Sequence, residues 1–533
     1  MNYDYIIVGA GSAGCVLANR LTADGKSKVL LLEAGPPDTY PWIHIPIGYG
    51  KTMLHPVLNW GFNTEPNPHM KGRQVYWPRG RTLGGSSAVN GLIQIRGQAE
   101  DFDLWESMGA EGWGRNEALR YFIKSESNSR GANAYHGGDG PLSVSDIGEK
   151  SELVDAFIRG CGDLGIPRTD DFNGATQEGA GYLQLTTRNG WRCSTAVGYL
   201  RPARKRANLQ VVTEAHAMAV VFEGGRAAGV RYRGPSGEVV VKAAREVLLC
   251  AGALQSPQIL QLSGIGPADL LKQHGVPVIR DLPGVGENLQ DHLSLRFLFK
   301  CTKPITTNDD LRTLFGKMRI GLKFLLQRRG PLAIGVMTGA MITRIEPDAA
   351  TPDVNYFLST VSAATRGATP HPWPGFTVGY YPFRPTSRGH VRIKSADPFA
   401  APAMQANYLA TEYDRRMMIA GARMARRIAA SPSFAPYVLE ELQPGPGVES
   451  DEAILDAVRD HGSSGYHPVG TCRIGRDADA VVDPRLRVHG VPGLRVADAS
   501  VMPTLVSGNT NAATIMIAEK AADMILEDRE RAA

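Results

Sequence analysis

The feature that most constrains the fold of this chain is a glycine turn close to its first residue. A short apolar run at residues 5–8 leads into Gly9-Ala10-Gly11-Ser12-Ala13-Gly14, and residues 15–21 continue with the apolar spacing of a helix. In such a turn the first glycine permits the sharp bend, the second lets the backbone approach a pyrophosphate, and the third lets the helix pack closely on the strand. The pattern therefore predicts the first strand–turn–helix unit of a dinucleotide-binding domain.

A carboxylate at the expected spacing strengthens this prediction. Residues 29–32 form a continuous apolar run, typical of a strand buried on both faces of a parallel sheet. Glu33 follows that run, about 20 residues beyond Gly14, where it can accept hydrogen bonds from both ribose hydroxyls and repel a 2′-phosphate. This disfavours NADP. The alternative is a glycine-rich turn without a ligand, and the motif itself does not distinguish NAD from FAD.

Composition excludes several other classes of protein. The net charge of +5 is small for 533 residues and argues against a dedicated nucleic-acid-binding protein. The six cysteines are scattered without a CxxC pair, so neither a disulfide framework nor a metal site is indicated. The 60 glycines exceed the roughly 37 expected from average usage. Because they show no collagen-like period, they indicate many backbone positions with special geometry.

The order of the remaining segments predicts two kinds of sheet. Residues 209–213, 219–222 and 246–250 return to strand patterns, and a further strand at 494–497 precedes a helix at about 512–526. Between them, β-rich runs indicate an antiparallel sheet, at 354–361, 376–381 and 390–394. The parts of one nucleotide-binding domain are thus separated by insertions, and we expect domains that are discontinuous in sequence.

Three further segments carry a resemblance to a known family. They are GRTLGGSSAVNG at 80–91, GALQSPQILQLSGIG at 252–266, and a tail with YHPVGTC at 466–472 and SGNTN at 507–511. In this order, and over essentially the whole chain, they resemble the glucose–methanol–choline (GMC) oxidoreductase family of flavoproteins. The strongest similarity is to its choline-dehydrogenase-like, bacterial alcohol dehydrogenase branch.

The resemblance implies an α/β fold in which a Rossmann-like FAD-binding domain is joined to a discontinuous α+β substrate domain on an antiparallel sheet. The implied FAD-binding domain comprises 1–150, 190–297 and 456–533, and the substrate domain 151–189 and 298–455. The residues expected to contact FAD are Gly9, Gly11, Ser12, Ala13, Gly14, Glu33, Ala34, Arg81, Leu83, Gly84, Ser86, Asn90, Gly91, Leu92, Ile93, Ala217, Ala251, Gly252, Asp498, Ala499 and Asn511.

Val89 bears on how the flavin is attached. Some family members bind the flavin covalently through a histidine in the loop after the paired glycines. The corresponding position here is Val89, which has no nucleophile. We therefore expect FAD to be bound non-covalently.

The resemblance also implies the chemistry, which is FAD-dependent oxidation of a primary alcohol to an aldehyde with hydride transfer to flavin N5. His467 matches the family's active-site histidine and can accept the hydroxyl proton near neutral pH. Asn511 is matched to the second position of the family's pair, where an amide can donate to the developing alkoxide, although it also suits a helix N-cap. Tyr466 is expected to line the substrate pocket or to pack in an aromatic core.

The substrate and the electron acceptor stay open at this level. No carboxylate cluster or aromatic cage indicates a quaternary ammonium ligand such as choline, so we expect an uncharged primary alcohol. The electron acceptor is oxygen, a quinone or another carrier.

Two other functions are compatible with the same FAD scaffold. One is a lyase or light-driven decarboxylase, and the other is a flavin-binding module without activity. The His467/Asn511 pair favours oxidation over both.

Location is predicted from two segments. The chain begins with a strand-like run instead of a charged and then apolar leader, and its longest weakly apolar run, 332–342, is too short to span a bilayer. We therefore expect a cytoplasmic protein.

Residues 311–329 place apolar side chains at helical spacing among basic ones. This pattern suits either a peripheral contact with an anionic inner membrane or, as we favour, an ordinary surface helix. The apolar positions are Leu311, Leu314, Phe315, Met318, Leu322, Leu325 and Leu326, and the basic ones are Arg312, Lys317, Arg319, Lys323, Arg328 and Arg329.

Overall fold

A mixed seven-stranded sheet combines strands from the first and the last 50 residues or so of the sequence in the computed structural model, which describes residues 2–335, 337–346 and 348–531. Four of its strands run parallel around the first strand, and the long strand Gly237–Leu249 continues into an antiparallel extension. In spatial order the strands are Leu209–Val212, Val29–Leu32, Asn2–Val8, Gly237–Leu249, Arg226–Gly234 and His216–Glu223, with Leu494–Val496 also paired to Gly237–Leu249.

Burial explains why these segments form strands side by side. Val29–Leu32 is buried at every position, as its continuous apolar run predicts for a central parallel strand. The helix Ser12–Leu21 covers one face of the sheet and packs against the C-terminal helix Thr510–Arg531. A bidentate ion pair between Arg20 and the fully buried Glu519 joins the two helices, with N–O distances of 2.8 and 2.7 Å.

A second, antiparallel sheet of seven strands lies in the middle of the sequence. In spatial order its strands are Val438–Gln443, Leu293–Cys301, Gly375–Pro382, Val354–Ser359, Met337–Thr343 and Gly179–Tyr182, with Ser463–Ser464 also paired to Leu293–Cys301. The helices Glu152–Asp163 and Glu412–Ala429 pack against this sheet. Gly421 permits the close approach, because a Cβ atom there would lie 2.2 Å from the ring of Tyr380.

The helices connect and cover the two sheets. Their bounds are Ser12–Leu21, Pro41–His44, Tyr49–Thr52, Ala99–Ser107, Arg115–Ser125, Glu152–Asp163, Arg201–Ala203, Gly252–Leu262, Ala268–Gln273, Thr307–Arg312, Leu314–Gln327, Glu412–Ala429, Asp451–His461 and Thr510–Arg531. Among the described residues, every helix is too short or too polar to cross a bilayer.

The predicted fold class, with a Rossmann-like sheet and a separate antiparallel sheet, is confirmed. One detail differs from the sequence prediction. His390–Arg392 pairs with Ala403–Gln405 in a small sheet of its own instead of joining the large antiparallel one. The strand Leu293–Cys301 spans residue 297, where the predicted FAD-binding range 190–297 ends, and its residues Leu293 and Ser294 pair with Ser464 and Ser463. The exact division into domains stays a prediction.

The basic segment forms a helix whose apolar stripe is turned to solvent. Within Leu314–Gln327 the buried positions are Gly316, Ile320 and Phe324. Six large apolar side chains of this helix are instead more than half exposed, namely Leu314, Phe315, Met318, Leu322, Leu325 and Leu326. An ordinary surface helix turns its apolar side toward the core, so the interpretation that the sequence favoured does not describe this one.

Candidate active site

A cavity of about 590 Å³ lies between the two sheets. Its inner part is formed at the carboxyl ends of the parallel strands, where the strands ending at Val8 and Leu32 meet Cys250. Its outer part is formed by side chains of the antiparallel sheet, including Phe357 and Tyr381. The carboxyl edge of a parallel sheet is the usual place for a ligand in an α/β fold, because the helices that follow the strands begin there.

The glycine turn forms one wall of this cavity and leaves no room for side chains. A Cβ atom on Gly9, whose φ is +98°, would lie 2.6 Å from the carbonyl oxygen of Cys250, and one on Gly14 would lie 1.9 Å from that of Gly9. A Cβ atom on Gly85 would lie 2.6 Å from the Cα of Gly11, so the two glycine-rich segments are in backbone contact. The helix that begins at Ser12 thus directs its uncapped N–H groups at the cavity, as phosphate binding requires.

Two buried carboxylates line the inner part of the cavity. Glu33 accepts hydrogen bonds from the backbone N–H groups of Ala10 and Gly35, both at 2.9 Å, and burial raises the pKa of its carboxyl to about 7. Asp498 accepts from the N–H of Gly252 at 2.8 Å and from the hydroxyl of Ser256 at 2.6 Å, and burial raises its pKa as well. Each carboxylate therefore fixes the backbone beside the cavity. Glu33 keeps lone pairs for a further donor, whereas Asp498 also accepts two hydrogen bonds from Ser500 and has none left.

His467 lies where the inner and outer parts of the cavity meet, in a chain of hydrogen bonds that defines its tautomer. Nε2 of His292 is 2.9 Å from the carbonyl oxygen of Phe383 and must carry a proton to donate to it. Nδ1 of His292 is then an acceptor, because burial lowers the pKa of this imidazole to about 3 and keeps it neutral. Nδ1 of His467, at 2.9 Å, must donate to it, which leaves Nε2 of His467 unprotonated and able to accept.

The residue that faces this nitrogen is Asn509. Its amide nitrogen is 2.9 Å from Nε2 of His467. Asn511, which the sequence analysis matched to this position, instead accepts a 2.7 Å hydrogen bond from the hydroxyl of Ser12 and ties the C-terminal helix to the glycine turn. The misplacement has a physical cause, since the helix begins at Thr510 and not near 512. The residue immediately before the helix is therefore Asn509, and a correct helix start would have identified it.

Hydrogen bonds to buried side chains hold the loop that carries His467 in place. Asp291 accepts hydrogen bonds from the N–H of His467 at 2.7 Å and from the hydroxyls of Tyr408 and Ser464. Tyr466 has a φ of +69°, which is costly for a residue with a side chain, and Arg79 donates to its carbonyl oxygen at 2.7 Å. Sequence reasoning missed Asp291 and Arg79 because their partners lie far away along the chain.

His467 is neutral in this environment. Burial lowers the pKa of its imidazole well below the ordinary value, and the neighbouring His292, Arg79 and Arg366 lower it further. Water is largely excluded, because the residue is only 7% exposed. A neutral imidazole with an unprotonated nitrogen can accept a proton, whereas an imidazolium could not.

Most of the predicted cofactor positions line the cavity, and four do not. The lining positions are Gly9, Gly11, Ser12, Ala13, Glu33, Ala34, Ser86, Asn90, Gly91, Leu92, Ile93, Ala217, Ala251, Gly252, Asp498, Ala499 and Asn511, and Tyr466 lines it too. Gly14 and Leu83 are packed behind the glycine turn, and Gly84 donates from its N–H to the carbonyl of Ala10. The guanidinium of Arg81 lies 4.9 Å from the ring centre of Trp60, which lines the cavity, and its charge partly offsets the rise that burial causes in the pKa of Glu33.

Comparison with known proteins agrees with this geometry. The chain is 43% identical to the alcohol dehydrogenase (acceptor) of Pseudomonas putida, over 98% of this chain and 96% of that protein. It is 44% identical to the mitochondrial choline dehydrogenase of Homo sapiens, over 98% and 89%. The crystal structure of pyridoxine 4-oxidase from Mesorbium loti superposes with a TM-score of 0.89 and 32% identity, covering 99% of both chains. Models described as GMC oxidoreductase match residues 3–294 and 385–518, and the chain therefore belongs to the GMC oxidoreductase family.

Proposed function

We propose that the protein oxidises a primary alcohol to an aldehyde with FAD bound in the cavity, and that His467 removes the hydroxyl proton. The observation that carries the proposal is the position of Nε2 of His467, an unprotonated nitrogen that accepts a hydrogen bond from Asn509 in the same cavity that the glycine turn lines. When bound, FAD supplies the acceptor for the hydride that leaves the α-carbon of the alcohol.

The shape of the inner cavity fits FAD. Backbone contact between Gly11 and Gly85 leaves a concave surface without side chains, into which a Cβ atom on Gly252 would project with no neighbour within 4 Å. The N-terminus of the helix at Ser12 would hold the phosphates, and the carboxylate of Glu33 would accept from the ribose hydroxyls. A side chain added to any of these glycines would fill space that the dinucleotide needs.

The two residues at the reacting end have complementary tasks. An alcohol that displaces the amide of Asn509 from Nε2 of His467 would donate its proton to Nε2, and the released amide N–H of Asn509 would donate to the alcohol oxygen. As the proton moves to Nε2, negative charge on the alcohol oxygen is stabilised by that amide. The imidazolium formed keeps its Nδ1–H bond to His292, so the ring does not rotate during the transfer.

Asn509 and Asn511 provide a matched pair of variants that tests this assignment. We expect His467→Ala to slow anaerobic flavin reduction by a primary alcohol by about 100-fold or more, because a general base is lost. Asn509→Ala should slow it by about tenfold or more, because the alkoxide loses a donor. Asn511→Ala should reduce the rate little and mainly weaken FAD retention, because its amide contacts only Ser12. Stopped-flow spectrophotometry of the flavin band measures all three.

The same experiment separates the alternatives. Equal effects of Asn509→Ala and Asn511→Ala would contradict the assignment of Asn509. If no alcohol bleaches the flavin while a cyanohydrin or a fatty acid is converted, the lyase or decarboxylase function is correct. A protein that holds FAD and reacts with no donor would be a binding module.

We propose further that FAD is held without a covalent bond. The side chain of Val89 lines the cavity at the position where a histidine would be needed, and it offers no nucleophile. Acid precipitation of the yellow holoenzyme should therefore leave all of the flavin absorbance in the supernatant. Fluorescence that stays with the polypeptide on a denaturing gel would show a covalent link instead.

A peripheral membrane contact is proposed for the helix Leu314–Gln327. Its solvent-facing side combines six exposed apolar side chains with basic neighbours, of which Lys317 and Arg329 form no ion pair among the described residues. Positive charge beside exposed apolar surface is complementary to an anionic phospholipid bilayer. Leu311 and Leu332, on either side of this helix in sequence, line the cavity, so a membrane-borne acceptor such as a quinone would meet the protein near the active site.

Vesicle sedimentation tests this contact. The wild-type holoenzyme should co-sediment with vesicles containing phosphatidylglycerol and less with pure phosphatidylcholine. The double variant Phe315→Ser/Leu326→Ser should bind about tenfold more weakly, because two apolar anchors are removed. Leu439→Ser is the matched control, since Leu439 is equally exposed on another part of the surface. Equal sedimentation of both variants, or a wild-type dimer in gel filtration that Phe315→Ser/Leu326→Ser dissociates, would overturn the membrane contact.

A further inference from the structure

The outer part of the cavity is positively charged. We call the residues Trp42, Tyr49, Lys51, Arg296, Arg366 and Tyr466 the outer chamber. Three of the six carry positive charge. Among the described residues that line the cavity, the acids are Glu33 and Asp498, and both lie at the nucleotide end with backbone and hydroxyl donors of their own. Nothing in the outer chamber balances its charge.

The two arginines bond only to neutral oxygens. Arg366 donates to the carbonyl of Ser464 at 2.9 Å and, more weakly, to the hydroxyl of Ser294 at 3.4 Å. Arg296 donates to the carbonyl of Ala364 at 3.1 Å. Within the described part of the chain neither guanidinium has a carboxylate within ion-pair distance. Burial and, to a smaller extent, the charge of Arg366 lower the pKa of Arg296 to about 10, so Arg296 remains charged at neutral pH.

Two of the three aromatic rings of the outer chamber are already covered by cations of the protein. The guanidinium of Arg366 lies 5.0 Å from the ring centre of Tyr466, and the ammonium of Lys51 lies 3.8 Å from that of Trp42. A quaternary ammonium ligand is recognised by several open aromatic faces or by a carboxylate. The outer chamber contains no carboxylate, and its three positive charges would repel such a ligand.

The arginines are also close to the reacting groups. Arg366 stacks on the residue that precedes His467 and donates to the loop that carries it. The positive charge of Arg366 contributes to the lowered pKa of His467. A substrate whose hydroxyl lies at Nε2 of His467 would therefore extend its other end toward Arg296 and Arg366.

We propose that the substrate is an alcohol with a carboxylate at the end remote from the hydroxyl group, and that Arg296 and Arg366 bind this carboxylate. The proposal rests on the alcohol oxidation proposed above. A carboxylate would supply the counter-charge that the outer chamber lacks, and a guanidinium presents paired N–H donors that match its two oxygens. The uncharged alcohol expected from the sequence, and the choline named for a relative, fit this chamber less well.

Anaerobic flavin reduction by matched substrates tests the preference. The probes are 6-hydroxyhexanoate, 1-hexanol and choline, with 4-hydroxybutanoate and 8-hydroxyoctanoate to vary the length. The holoenzyme should be reduced by the best hydroxy acid with a second-order rate constant at least about tenfold above that of the alkanol of equal length. Arg296→Gln and Arg366→Gln should each remove most of this advantage through weaker binding of the hydroxy acid.

Two further variants control for loss of structure. Arg366→Lys keeps the charge and should retain part of the preference. Arg388→Gln is the matched neutral control, because Arg388 is also partly buried and donates only to neutral oxygens, yet it does not line the cavity. It should leave the preference unchanged.

A binding measurement keeps the proposal falsifiable without turnover. Hexanoate and hexyltrimethylammonium cannot be oxidised as alcohols, and their binding can be followed by perturbation of the flavin spectrum. Hexanoate should bind the wild type, and bind at least about tenfold more weakly to Arg366→Gln. If hexanoate binds and no alcohol bleaches the flavin, the proposed oxidation fails while the anion site stands. Tighter binding of hexyltrimethylammonium, or faster reduction by choline or 1-hexanol than by every hydroxy acid, would overturn the anion site alone.

Discussion

The contact between the glycine turn and the start of the C-terminal helix is the constraint on which the active site depends. Ser12 and Asn511 are 499 residues apart in sequence and share a 2.7 Å hydrogen bond. The buried ion pair of Arg20 with Glu519 fixes the same two helices two turns further along. Because Asn509 directly precedes the C-terminal helix, this contact also determines where its amide meets His467. One packing arrangement thus positions both the glycine turn and the pair of His467 and Asn509.

Low exposure to water shifts the pKa values of the titratable groups that line the cavity. It keeps the imidazole of His467 neutral, and it raises the pKa of Glu33 to about 7 although two backbone N–H groups oppose that shift. Charges in such a place interact strongly, because little solvent screens them. The unbalanced positive charge of Arg296 and Arg366 is therefore a strong determinant of which alcohol enters, and it lies on the same surface as the base.

Local signals in the sequence predicted the parts of the site that neighbouring residues determine. The glycine turn, Glu33 and the strands of both sheets follow from spacing and periodicity, and the family resemblance identified His467. Asn509 was missed because a two-residue error in the start of a helix exchanges one asparagine for another. His292 and the outer-chamber arginines have no local signal, since their partners are brought to them only by the fold. The exposed face of Leu314–Gln327 was misjudged because periodicity shows that a stripe exists but not what covers it.

The proposed oxidation depends on Nε2 of His467 as the proton acceptor, and the pH dependence of anaerobic flavin reduction is the test of this role. The depressed pKa of His467 keeps its base form present well below pH 6.5, so the wild-type rate should be flat between about pH 6 and pH 9. In His467→Ala the alcohol must lose its proton to solvent hydroxide, and the rate should rise by about tenfold per pH unit. Parallel profiles for the two proteins would contradict the account.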